Sequence, residues 1–393
     1  MPLLPRLYLI VAYLSLSLAF AAIGLAPRAA GGFFYHARLL GIVHLVTLGW
    51  ITCAILASLY TVVPRWSGSA WPVRRRDYCA LGSTVIGLIG MVAHFWIEEY
   101  GGMAWSGLMV LAGIAYVVAR AWPRVMRSAH PARLPLLLGM GNILAAASAG
   151  VLLGFDKVHD FLPGYVIANV LAHAHLAALG WACLMSLGLL SATAASHAVP
   201  SMRWTFAMFE VATLGLVCSI LAGSRAMVAC AAVAAIALIV AVVRLCPRAR
   251  DIVGCHAVAA LASAGVAAAS GVALATLASS AFTMRLALVY GAAGLLGFLA
   301  QMLLVVVLRL EPALEPSRTS FALSWAGIVG IVAGLFLGAD RLLGGGAWLA
   351  LAGTLLPAVP PVAACLARPL SWAHATRHRR GPASQLTFSQ GRS

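Results

Sequence analysis

Val170–Trp181 reads VLAHAHLAALGW, and its last seven residues, HLAALGW from His175, match HLVTLGW of His44–Trp50 at five of seven positions. A weaker third copy, AAGLLGF at Ala292–Phe298, keeps a leucine, the glycine and a closing aromatic residue but has Ala292 where the others have histidine. Pro64 follows Gly49 by fifteen residues, and Pro312 follows Gly297 by the same distance. Proline is expected near helix ends. A pattern that returns three times at wide spacing points to internal duplication, which has to be recognised before the fold is read.

Each copy sits in apolar sequence. Of 393 residues 63% are hydrophobic and 9% charged, with mean hydropathy +0.98, against roughly 25% charged residues in soluble domains. About 20 apolar residues cross a ~30 Å hydrocarbon layer as a helix. Twelve such runs occur, at 5–26, 38–63, 78–98, 102–121, 134–155, 163–190, 204–223, 226–246, 253–279, 285–309, 319–338 and 346–366. The alternation of a membrane β-barrel is absent. The first run is longer than a signal-peptide core and lacks a clear cleavage site, so it reads as a retained helix.

The three copies fall on the second, sixth and tenth runs. The expectation is an all-α integral membrane protein of twelve transmembrane helices in three pseudo-repeated four-helix arcs. These arcs cover 1–133, 134–251 and 252–366, the last lacking the motif histidine, and a basic tail at 367–393 follows. Gly49 and Gly180 would let neighbouring helices approach closely at equivalent positions.

The formal charge of +16 does not call for nucleic acid, because its placement follows membrane topology. Twenty of the 26 Lys and Arg lie at one face, including Arg74, Arg75 and Arg76 and the tail residues Arg377, Arg379 and Arg380; six lie at the other. The positive-inside rule then expects both termini in the cytoplasm of a bacterial-type inner membrane. The eight cysteines fall within helices or near their cytoplasmic ends, which argues against an external disulfide framework. No CxxCH is present, so covalent attachment of a c-type haem is not expected.

On that topology six of the eleven histidines gather in the outer half: His36, His44, His94, His159, His173 and His175. Four of them, His44, His94, His173 and His175, are expected at hydrocarbon depth, where an ionisable side chain is a functional candidate by default. Neutral imidazole ligates haem iron, copper and zinc, and helix bundles build metal sites from ligands on several helices. The spacing of His173 and His175 turns the two side chains about 200° apart on an α-helix, so one ion cannot easily take both. His175 aligns with His44 in the repeat, which makes it the better candidate for an inward position. Asn169, one turn before His173, and Glu98, beyond His94, are candidates for supporting contacts.

The remaining polar residues in the spans have plainer readings. Glu210 would hold a structural hydrogen bond or a proton, and Asn142 and Asn169 would serve in helix packing. His130, His197, His256, His374 and His378 are placed on the cytoplasmic side without a ligand role. Trp66, Trp71, Trp122 and Trp204 fall where an interfacial aromatic belt is expected.

The pattern resembles the haem–copper oxidase subunit I superfamily, and in particular its short relatives of the NnrS type. His44 with Gly49 and Pro64 is similar to the segment carrying a low-spin haem ligand there, and HAHLxxLGW around His175 is similar to the helix carrying a copper ligand. The resemblance implies a non-covalent haem b, with copper as a further metal, and ligands His44, His175 and His173. It implies redox chemistry or binding of a diatomic gas, nitric oxide first, with an electron-donor protein as partner. The seventh run (WTFAMFEVATLGLVCSILAG) has no His-His pair and the tenth has no histidine, so an ordinary oxygen-reducing binuclear centre is not expected. Two other functions fit the same residues: copper handling or transport without haem, and an oxidase-like scaffold subunit that assembles with other chains.

Overall fold

The computed structural model describes residues 1–68, 71–193, 202–245, 251–314 and 316–367, with the side chains of 357–367 outside the description. The tail, His197, His374, His378, Cys246 and the side chain of Cys365 therefore lie outside the described residues. Those that are described form an all-helical chain with no strand. In hydrocarbon a helix meets its own backbone hydrogen-bonding needs, which is why runs this apolar take that form.

We number the long helices α1 (Leu3–Leu25), α2 (Ala37–Ser67), α3 (Arg75–Ile97), α4 (Tyr100–Arg127), α5 (Arg133–His159), α6 (Val166–Thr193), α7 (Arg203–Leu221), α8 (Ala226–Leu245), α9 (Ile252–Thr276), α10 (Ala281–Leu310), α11 (Arg318–Leu337) and α12 (Asp340–Ala367). The first eleven are long and apolar enough to cross a bilayer. Their ends follow local chemistry. Glu99 accepts the amides of Gly101 and Gly102 to start α4, Asp251 accepts the Gly254 amide at 2.6 Å to start α9, and Ser280 and Thr283 cap α10 reciprocally. Gly68, with φ +61°, stops α2 in the left-handed conformation that glycine adopts without strain.

Consecutive helices pack as neighbours, with α4 against α5, α8 against α9 and α12 against α1, so that the bundle closes on itself. Inside lie α2, α6 and α10, which touch one another. Each central helix contains a π-helical stretch: Leu45–Thr52 in α2, Leu176–Cys183 in α6 and Ala293–Leu299 in α10. All three begin at the second position of the HLxxLGW-type motif, immediately after His44, His175 and Ala292. Stretches with i→i+5 bonding are rare and concentrate at functional sites.

The motif glycines lie where these stretches meet the first helix of each expected unit. A Cβ on Gly49 would run into Ser15 of α1, one on Gly180 into Asn142 of α5, and one on Gly297 into Ser263 of α9. The motif aromatics join the central helices to one another. Trp181 donates its indole N–H to the Thr52 hydroxyl and Trp50 to the Ala300 carbonyl, both at 3.2 Å.

Two ends of the bundle differ in packing. Toward the arginine-rich end the central helices are sealed: every residue of Cys53–Val63 and of Leu184–Ser191 is buried. Toward the histidine-bearing end, Ala172 alone among Val166–His175 is buried. A Cβ on Gly291 would meet no atom within 4 Å.

The arginine-rich end is held by a knot around Asp77 in the first turn of α3, which is fully buried. Arg120 of α4 pairs with both carboxylate oxygens, Tyr60 of α2 donates to Oδ1 at 2.6 Å, and the Arg74 amide donates to Oδ2 at 2.6 Å. Trp71 lies under the guanidinium groups of Arg120 and Arg124 and is 7% exposed. Trp71 is therefore packed inside the protein rather than in an aromatic belt, and Trp66 stacks on His130 with ring centroids 4.7 Å apart. Trp204 is 70% exposed, as a belt residue would be.

Candidate metal centre

His44 closes the α-helical first part of α2, and its Nδ1 donates to the Leu40 carbonyl, one turn back, at 2.7 Å. His175 closes the first part of α6 in the same way, with Nδ1 donating to the Leu171 carbonyl at 2.7 Å. The two rings share one geometry because they share one position relative to the π-helical stretch that follows. With Nδ1 carrying the proton, the Nε2 lone pair is free in each, and among the described residues neither Nε2 has a hydrogen-bond partner. This is how proteins prepare imidazole for a metal, the bond at one nitrogen fixing the tautomer and the orientation of the other.

His173 reaches the same state by another route. Its Nδ1 bonds the Ala146 carbonyl of α5 at 2.8 Å, and its ring fills the space left by Gly150 on that helix. Asn169 does not support it, since its amide donates instead to the Pro163 carbonyl at 3.1 Å. The HAH pair thus diverges as helix geometry dictates: His173 turns to α5, while His175 stacks on Tyr290 of α10 with centroids 5.9 Å apart.

His94 stands apart. Its Nδ1 donates to the Gly90 carbonyl at 2.6 Å and its Nε2 faces the Glu99 carboxylate at 3.5 Å, beside Gly102. The neighbouring residue on α3, Phe95, is the one that meets the site, stacking on His44 with centroids 5.0 Å apart. Glu98 ends α3 with φ +60°, its backbone N–H donating to the His94 and Phe95 carbonyls; the carboxylate that faces the His94 ring is that of Glu99.

Among the described residues no three His, Cys, Asp or Glu side chains converge.

Two polar clusters join residues that the sequence presents singly. Asn142 donates from Nδ2 to the Gly180 carbonyl at 2.9 Å and to Glu210 of α7 at 2.9 Å, tying a buried carboxyl to the π-helical stretch after His175. His256, 1% exposed, bonds Gln301 at 2.9 Å and meets the Trp325 indole at 3.3 Å beside a small internal cavity. Neither partnership is legible from spacing, since each joins residues far apart in the chain. The described cysteines are all free. Compared with known proteins, the sequence matches no family model and no curated protein.

Proposed function

We propose that this protein is a haem-binding membrane protein of the haem–copper oxidase type, in which His44 and a histidine of α6 would hold the haem, with copper as a further metal. The observation that carries the reading is the pair of imidazoles at matched positions, each with Nδ1 tied to the carbonyl one turn back and Nε2 unpartnered. Bound haem would supply redox chemistry or reversible binding of a diatomic gas, with nitric oxide the first to test. The protein's own part is to hold the imidazoles in one tautomer, to stack Phe95 and Tyr290 against them, and to surround the group with apolar side chains.

The wider frame of the reading is three four-helix units related around α2, α6 and α10, with α12 as the twelfth span. The matched π-helical stretches and the three glycine contacts to Ser15, Asn142 and Ser263 support it. By charge placement the arginine-rich end faces the cytoplasm of a bacterial-type inner membrane and the histidines lie toward the outer face. The third unit, with Ala292 at the motif position, contributes Tyr290 in place of a ligand.

A second reading is copper handling without haem. The free Nε2 atoms of His44, His173 and His175 suit it equally, since neutral imidazole ligates copper as well as haem iron. An absorption spectrum with elemental analysis of the purified protein separates the two: a Soret band that is lost in His44→Ala supports haem. Colourless protein that carries copper supports the alternative.

A further inference from the structure

We infer that the internal cavity beside His256 is a binding site for one ordered water molecule, which bridges His256 of α9 to the Tyr13 hydroxyl of α1. The inference is independent of the haem reading, since no residue of the candidate metal centre takes part. It begins from two buried polar atoms. His256 is 1% exposed and Tyr13 9% exposed, and among the described residues neither His256 Nε2 nor the Tyr13 hydroxyl has a hydrogen-bond partner. A buried donor or acceptor without a partner carries the full cost of its desolvation, so folded proteins rarely keep one. Here two such atoms belong to residues that line one cavity.

The rest of each side chain is engaged elsewhere. His256 Nδ1 lies 2.9 Å from the Gln301 amide of α10 and 3.3 Å from the Trp325 indole nitrogen of α11. Phe321 packs edge to face on the imidazole, with centroids 4.8 Å apart. These contacts fix the ring and occupy Nδ1, so in either tautomer Nε2 is the atom without a protein partner. The Tyr13 ring packs edge to face on Trp50 of α2, with centroids 5.0 Å apart.

The cavity has a volume of about 20 Å³. That is room for one water, which also needs a polar site with several partners, since apolar cavities stay dry. Besides Tyr13 and His256, the lining includes Gln301, Ser320, Ser324 and Thr354. Two of these hydroxyls already donate to backbone, Ser320 to the Gly353 carbonyl at 2.6 Å and Thr354 to the Ala350 carbonyl at 2.8 Å. Water both donates and accepts, so it can meet Nε2 in either tautomer and the tyrosine hydroxyl in either role. One molecule thus satisfies both orphaned atoms. It also ties α1 to α9, the first helices of the first and third expected units.

The test has two parts, both on the full chain. A crystal structure in lipid, at a resolution that shows ordered water, should place one peak within hydrogen-bond distance of His256 Nε2 and of the Tyr13 hydroxyl. A dry cavity, a metal ion there, or a direct bond between the two side chains overturns the proposal. The second part is a double-substitution cycle on melting temperature with Tyr13→Phe and His256→Asn. Asparagine keeps a polar atom at the Nδ1 position for Gln301 and Trp325 while removing Nε2, and phenylalanine keeps the ring against Trp50. Each change is expected to lower the melting temperature, and the double variant should fall no further than the worse single one, because one bridge is lost in all three. His256→Gln, which returns a polar atom to the Nε2 position, should melt above His256→Asn. Additive losses, or variants that melt with the wild type, overturn the bridge. If His256→Asn does not fold, the structure of Tyr13→Phe decides: the water is expected to be lost, and its persistence on His256 alone overturns the bridge.

Discussion

Trp181 on α6 donates its indole N–H to the hydroxyl of Thr52 on α2, and the motif-equivalent Trp50 on α2 donates to the Ala300 carbonyl on α10. Thr52 and Ala300 each lie two residues beyond the aromatic position of their own motif copy, so one contact is made twice around the three central helices. Phe298, the aromatic residue of the third copy, has no N–H to give. Trp181→Phe is expected to cost about 1 kcal/mol, the usual net worth of such a bond. Trp50→Phe, which removes the second hydrogen bond to a helical carbonyl, is expected to cost a similar amount, about 1 kcal/mol. Thermal unfolding in detergent measures both, and equal melting temperatures for all three proteins would remove the contact from the account.

The glycine contacts make a sharper steric prediction. Gly49→Ala places a methyl group against Ser15 of α1 and is expected to cost about 1–3 kcal/mol by overpacking. Ser15→Gly in the same chain should recover most of that loss. Gly291→Ala, where nothing lies within 4 Å, is the control and should leave the melting temperature unchanged.

Asp77→Ala leaves the Arg120 guanidinium without its carboxylate, where the Asp77 side chain is 0% and the Arg120 side chain 11% exposed. Breaking a buried pair from one side costs about 3–5 kcal/mol. Asp251→Ala removes an exposed helix cap and should cost about 1 kcal/mol. Folded yield and melting temperature should rank wild type, Asp251→Ala and Asp77→Ala in that order.

His130, in the turn between α4 and α5, accepts the Ala132 amide on Nδ1 at 3.1 Å and is partly buried under Trp66. Burial holds its imidazolium below the ordinary range. The folded protein therefore binds fewer protons here than the unfolded chain. The stabilisation is complete above the unfolded value of about 6.5 and is lost as pH falls through the folded one. His130→Gln should flatten the decline of melting temperature on acidification below pH ~6.5; a slope equal to that of wild type would count against this role for His130.

Much of the architecture is legible in the sequence because hydrophobic runs and the recurring His, Gly and aromatic positions are properties of residue type. Eleven of the expected spans coincide with helices long and apolar enough to cross a bilayer, with ends that differ by up to six residues. At Gly49 and Gly180 the expected close approach is met by Ser15 and Asn142. The π-helical stretches are not legible, because an i→i+5 ladder selects no composition; what marks them is that all three start at one motif position. Asp77 and Arg120 form their knot across 43 residues, and Asn142 and Glu210 across 68, so neither pairing leaves a local pattern. Sequence spacing points to Asn169, one turn away on the same helix, as the helper of His173, whereas the partner is a backbone carbonyl on α5, which no side-chain motif can announce.

The central claim is that the histidine-bearing end holds haem on His44 and a histidine of α6. The most direct test is the visible absorption spectrum, with metal content, of the full chain purified from haem-supplied cells beside its His44→Ala variant. The account predicts a Soret band and stoichiometric iron in the wild type, both lost or sharply reduced when His44 is replaced while the variant stays folded. A colourless, metal-free wild-type protein, or a spectrum indifferent to His44, would contradict it.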